Sequence, residues 1–259
     1  PREFQNGSVE KPAYYHTFPG NWNGREINGN TLKGLGYATF RLKVKLPEDI
    51  KPLAVRMKAQ STASKMFINS KVVDKTGQVG PTASSHTPAT VPSLLFVTPE
   101  EDREYTEIIL WVSNFSQRTG GIWASLHLGE SATIVDYVQG LRLRDIFLAG
   151  LIFIIALYHF ILFGVRRSDK LSLYFALFAF LVFVRHSITG NKILLQLLPG
   201  IPFEVYMKIE YITFFYGLVF FMHFLRQLYS DTVNPKILYI VHFLVAAFTL
   251  FTLVTPTRL

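Results

Sequence analysis

Two hydrophobic patterns divide this chain. From residue 146 onward the sequence is four apolar blocks, 146–165, 171–189, 204–225 and 237–255, separated by short charged stretches. Each approaches the roughly 20 residues that a helix needs to cross a bilayer. Before residue 131 the period is two. In 37–46, Ala38, Phe40, Leu42, Val44 and Leu46 alternate with Tyr37, Thr39, Arg41, Lys43 and Lys45, predicting a strand with one buried and one wet face. Leu53, Val55 and Met57 alternate with Ala54, Arg56 and Lys58 in a second strand. Residues 66–68 and 71–73 flank Asn69-Ser70 and predict a tight hairpin. Residues 94–97 and 108–113 are continuously apolar and are expected as central strands, with 122–128 closing the set.

Gly, Pro, Ser and Thr crowd the intervals, above all 77–92, as in a sandwich or jelly roll of short strands. The expected fold class is therefore β plus membrane α. An extracytoplasmic β-sandwich (jelly roll) occupies 1–130, a helical connector 131–145, and a transmembrane helix bundle 146–259. The connector places Ile134, Val135, Val138 and Leu141 at helical spacing. It reads either as a link that transmits a push or as a plain extension of the first span.

Charge sharpens this partition. Residues 1–140 carry 15 Lys+Arg and 13 Asp+Glu, whereas 141–259 carry 11 and 5, so the basic excess belongs to the membrane half. Juxtamembrane basic residues beside anionic lipid account for it without nucleic acid as a partner. The stretches after the first and third blocks together hold Arg166, Arg167, Lys170, Arg226 and Lys236, while 190–203 holds only Lys192. By the positive-inside rule the first two face the cytoplasm. The expected location is the inner membrane, multi-pass, with the β-domain periplasmic or extracellular. Arg142 and Arg144 oppose that orientation and Asp145 partly offsets them.

Ionisable residues within the blocks cost a few kcal/mol unless paired or wet. Arg185 and His186 end the second block, and Lys208 and Glu210 lie early in the third. A pair between Arg185 and Glu210 is a candidate transmembrane relay; the plainer reading is a structural clamp. His159, His223 and His242 lie on three different blocks, and interfacial hydrogen bonding explains them more simply than haem or metal.

No catalytic residue is expected. The chain lacks GxGxxG, P-loop, HExxH and GxSxG patterns. Glu100, Glu101, Asp102 and Glu104 read as a solvated turn, and His16, His86 and His127 have no metal spacing. The absence of cysteine excludes disulfides and thiolate chemistry. No cofactor and no metal site is expected. One stretch suits ligand binding: Asn114, Arg118, Gly120, Gly121 and Trp123 supply an amide, a guanidinium, close backbone approach and an indole face. These are the pieces with which proteins hold sugars. Trp123 reads equally as a core residue beside Ile122. Expected partners are membrane lipid, a small-molecule or carbohydrate ligand, and a second copy in a homodimer.

An ordered set of short motifs runs through both halves. It comprises Gly36-Tyr37-Ala38-Thr39-Phe40-Arg41-Leu42; Met66-Phe67-Ile68-Asn69-Ser70-Lys71 with Gly77 and Gly80; and Val112-Ser113-Asn114-Phe115 with Gly120-Gly121-Ile122-Trp123 and Leu128-Gly129. In the apolar half it continues with Leu157-Tyr158-His159, Phe163, Arg166-Arg167, Leu173-Tyr174-Phe175, Arg185 with Thr189-Gly190, and Glu210-Tyr211. In these the chain resembles the bacterial seven-transmembrane receptors with diverse intracellular signalling modules, of the class with an extracellular galactose-binding-like jelly roll. The resemblance implies a sensor, in which the jelly roll binds a ligand and the helices relay to a cytoplasmic output module such as a histidine kinase or diguanylate cyclase. Four spans stand where that family has seven, and Ser70 stands where the hairpin usually has glycine. Both ends of the chain are accordingly read as cuts within a longer protein. The rival readings are a non-signalling envelope carbohydrate-binding or scaffold protein, and a membrane enzyme with its site in the bundle.

Overall fold

The computed structural model describes residues 14, 15, 17, 19–27, 29–46, 52–60, 62–98, 105–229 and 234–258. His16 and the acidic turn of Glu100, Glu101, Asp102 and Glu104 lie outside the described residues. The chain divides into two compact units, one up to Gln139 and one from Gly140 to Thr257.

The first unit is a β-sandwich. Its strands are β1 (Gly20–Asn21), β2 (Glu26–Ile27), β3 (Asn30–Thr31), β4 (Gly36–Lys45), β5 (Leu53–Met57), β6 (Ala63–Ile68), β7 (Lys71–Thr76), β8 (Ser93–Val97), β9 (Tyr105–Asn114), β10 (Gly121–Ile122) and β11 (Leu126–Glu130). One antiparallel sheet runs β4-β9-β6-β7 and the other β11-β5-β8, with β1-β10 and β2-β3 as small outlying pairs. The alternation in the sequence is realised as burial between the sheets. Val55 and Met57 from one sheet meet Met66, Leu110 and Val112 from the other, all at 2% exposure or less. Each such side chain contributes about 1.5–3 kcal/mol. Asn69 and Ser70 form the β6–β7 turn with φ of 46° and 66°. Two left-handed central residues match the twist of the flanking strands. Asn69 also accepts from the Glu107 backbone N–H through Oδ1 at 3.0 Å and donates its own N–H to the Glu107 carbonyl at 3.0 Å, tying the turn to β9.

Two expectations change. β9 is central, but β8 is an edge strand, and its Phe96 is 66% exposed, so that apolar run is not buried on both faces. The closing segment 122–128 is two strands, β10 and β11, which join different sheets. The short strands β1 to β3 carry no alternation long enough to read.

Helices make up the rest: α1 (Ser131–Val165), α2 (Lys170–Ile188), α3 (Ile193–Leu197), α4 (Phe203–Leu228) and α5 (Pro235–Val254). α1, α2, α4 and α5 are long and apolar enough to cross a membrane. Local chemistry sets their ends. Asp169 caps α2, its carboxylate accepting from the Ser172 N–H at 3.1 Å and the Ser172 hydroxyl at 2.7 Å. These bonds hold the Asp169 carboxyl below the usual range. Asn234 caps α5, accepting from the Lys236 N–H at 2.9 Å, with Pro235 in the first turn. α1 begins where the Ser131 N–H and hydroxyl both donate to the Pro52 carbonyl, at 2.8 and 2.7 Å, and it runs on to Val165. The five-residue α3, in the interval before the third span, was not foreseen.

Candidate functional site

The stretch from Asn114 to Trp123 divides its labour. Asn114 is fully buried at the end of β9. Its Nδ2 donates to the carbonyls of Gly34 (2.9 Å) and Gln117 (2.7 Å), and its Oδ1 accepts from the Thr62 hydroxyl (3.1 Å) and the Gln117 N–H (3.0 Å). That amide shapes the loop from within. Asn23 pins the same loop, donating to the Arg118 carbonyl and accepting from the Gly120 N–H, each at 3.0 Å. Gly120 lies against the Trp22 indole, where a Cβ would fall 2.5 Å from ring carbons, so the loop closes only with glycine there. Gly121 adopts φ of 128°, again a glycine conformation, and pairs with Asn21. The loop so built leaves Arg118 and Trp123 on the outside. Trp123 is 55% exposed while its neighbour Ile122 is fully buried, so the indole is not a core residue.

A buried polar chain lies beneath. Thr62 donates to Asn114, so its oxygen accepts from His86 Nε2 at 3.1 Å. Ser113 Oγ accepts from the Gly80 N–H (3.3 Å) and lies 2.8 Å from His86 Nδ1, to which it donates. The two contacts are satisfied together when His86 is neutral with its proton on Nε2. Burial holds the His86 pKa below its ordinary value, in agreement.

On the far face of β5, the first turns of α1 pack into the β unit. Ile134 and Val138 cover Ala54, with Leu94 alongside. Tyr137 stacks on His127 at 5.5 Å, and the buried Arg56 guanidinium lies 5.3 Å from the Tyr137 ring centre. β5 is consequently buried on both faces.

Within the second unit, Asp145 of the same helix is a hub. It is 7% exposed. Its carboxylate accepts from Asn191 Nδ2 at 2.7 Å and from Arg144 at 3.2 Å, and its backbone carbonyl lies 3.1 Å from His186 Nε2. Asn191 in turn accepts from Gln196 Nε2 at 2.6 Å. Lys192 follows in a left-handed backbone conformation, φ 54°, with Nζ donating to the Tyr206 hydroxyl at 3.0 Å. Burial lowers its pKa to about 8, against the opposing pull of Glu210. Arg185 and Glu210 meet in this region, with 3.6 Å between guanidinium and carboxylate. Arg185 also donates to the Glu210 backbone carbonyl and lies over the Phe214 ring. It forms, with Thr213, the polar lining of an otherwise apolar groove of about 240 Å³ between α2 and α4. Among the histidines, His223 and His242 are brought together, while His159 packs apart from them against Phe175 and Tyr158.

Residues 142–259, which hold Asp145, Arg185 and Glu210, match the family model described as 7TM diverse intracellular signalling. No curated protein matches the sequence. Solved structures align with 43–49% of this chain. They include a glycosyl hydrolase family 2 member from Bacteroides cellulosilyticus (16% identity over 49% of this chain and 18% of that one, TM-score 0.37) and a β-glucuronidase from Faecalibacterium prausnitzii (15% identity, 43% and 18%, TM-score 0.34). The chain spans less than a quarter of either.

The apolar half of the chain thus has a polar hub that the pattern of apolar blocks conceals. Sequence reading singled out Arg185 and Glu210, but treated Asp145 only as an offset to Arg142 and Arg144. The available signal was an acid at the very start of an apolar block. Asn191, Lys192 and Tyr206 gave none, because they are assembled by the turn after α2 and by α3. Tyr137 was likewise unmarked; His127 was read only as a histidine without metal spacing, and Arg56, read as alternating with the apolar residues of its strand, is buried under Tyr137.

Proposed function

We propose that this chain is the sensing and transducing part of a signalling receptor in the bacterial inner membrane, with its β-sandwich on the outer side. The observation that carries the reading is α1. One helix has its first turns gripped by the sandwich, through Ile134, Tyr137 and Val138, and has Asp145 bonded into the turn between α2 and α3. A change of shape in the sandwich that shifts these turns pulls on Asp145, and through His186 and Asn191 on the ends of α2 and α3. Arg185 and Glu210 then register the shift between α2 and α4. The match of 142–259 to the 7TM signalling family model supports a relay over a static anchor.

The ligand surface in this reading is the loop that ends on Trp123. Arg118 offers a guanidinium for hydroxyl or carboxylate groups and Trp123 an apolar face for a ring, on a backbone already fixed by Asn114, Asn23 and Gly120. Such preorganisation removes part of the ordering cost of binding. A small polar ring compound such as a carbohydrate fits these two groups. The test is a thermal-shift screen of the purified chain in detergent against glycans and small polar metabolites. The reading expects saturable stabilisation by at least one class, lost in Trp123→Ala and weakened in Arg118→Ala. Stabilisation by no compound, or stabilisation that Trp123→Ala leaves intact, contradicts this ligand surface.

A further inference from the structure

At the Arg226 end of α4 two histidines face one another across a helix pair. His223 of α4 and His242 of α5 bring their Nε2 atoms to 3.2 Å. His242 Nδ1 lies 2.7 Å from the Leu238 carbonyl one turn earlier. A carbonyl only accepts, so Nδ1 carries the proton and Nε2 of His242 presents a lone pair. The proton between the rings therefore sits on His223 Nε2. Tyr174 of α2 stacks on His223 with ring centres 4.7 Å apart and planes 17° from parallel, which fixes that ring, and the two imidazoles stand at 78°.

We propose that His223 and His242 form a binding site for a borderline divalent metal ion, with Zn²⁺ as its representative. Two metal–nitrogen bonds of about 2.0–2.1 Å that span the observed separation enclose an angle of about 100°, close to tetrahedral. The metal takes the place of the single shared proton: that proton moves from Nε2 to Nδ1 of the neutral His223 ring, His242 keeps its own on Nδ1, and both Nε2 lone pairs turn to the ion. The bond from His242 Nδ1 to Leu238 is the outer bond that metal-bound imidazoles use to hold tautomer and direction. His159 takes no part, since it packs against Phe175 and Tyr158. Among the described residues no group of three or more His, Asp or Glu side chains clusters as a metal site, so water completes the coordination. Arg226, three residues after His223, adds positive charge nearby. The site is accordingly exchangeable, and when filled it ties α4 to α5.

The experiment is calorimetric titration of Zn²⁺ into the whole chain in detergent, after chelator treatment, alongside thermal unfolding with and without the ion. The expected result is one saturable ion and a rise in melting temperature. Loss of a ligand costs at least as much as loss of its outer-bond partner, so His223→Ala and His242→Ala each weaken binding by about tenfold or more. His159→Ala binds as the parent does. His223→Gln retains a donor for His242 and cannot replace the imidazole. It is expected to melt like the parent in chelator and to gain nothing from Zn²⁺. Zn²⁺ binding unchanged in His223→Gln and His242→Ala, or no binding by the parent chain, overturns the proposal. Neither outcome bears on the Trp123 surface or on the α1 relay.

Discussion

Ser70 shows how one residue can sit against its own backbone preference. Its φ of 66° is a conformation that glycine takes freely and that costs other residues about 1–2 kcal/mol. The turn holds because Asn69, beside it, is bonded to Glu107 on both donor and acceptor sides. Ser70→Gly should therefore stabilise the β unit by about 0.5–1 kcal/mol, after the entropy that glycine adds to the unfolded chain. A melting temperature that falls on this substitution contradicts the assigned turn.

His86 gives the pH dependence at this scale. Its folded pKa lies below the ordinary value of about 6.5. Between the folded value and the ordinary one, the unfolded chain binds more protons than the folded chain, so stability rises with pH across that window. The contribution is fully present above about pH 6.5 and is lost as pH falls through the folded value. Thermal unfolding of the chain from pH 7.5 down to 5 should show this decline, and His86→Gln should flatten it. An equal slope in both proteins would refute the neutral His86 of the buried chain.

At the scale of elements, the ends of helices carry more information than their middles. α2 and α4 meet through Arg185 and Glu210 at a point where the groove between them is otherwise apolar. An ion pair that is part-exposed is worth about 0.5–1.5 kcal/mol in coupling. Arg185→Ala and Glu210→Ala, singly and together, should show that coupling in thermal unfolding; additive effects would reduce the pair to proximity. The sandwich strands and the four spans were legible because burial writes a period into the sequence, two in β4 and β5, continuous in α2 and α5. What was not legible depended on contacts between distant segments. β8 looked central because Leu94, Leu95 and Phe96 are all apolar, yet Phe96 faces outward at an edge. Asn114 looked like a ligand group, yet its amide is consumed by Gly34, Thr62 and Gln117, none of which its own neighbourhood announces beyond Gln117. Asp145 needed Asn191 and His186, more than 40 residues on, to show its role.

For the molecule as a whole, the account rests on α1 as the element shared by sandwich and bundle. Ile134 and Val138 are its hold on the sandwich and Asp145 its hold on the bundle. The most direct test is hydrogen exchange on the whole chain in detergent, comparing the parent with the Ile134→Ala, Val138→Ala double variant. The account predicts faster exchange not only in β5 and β11 but also in residues 189–197, the turn and short helix that Asp145 organises. Two glycines inserted after Gln139 should abolish the remote effect and leave the local one. Exchange at 189–197 that stays at the parent rate in the double variant would contradict the claim that α1 couples the two units.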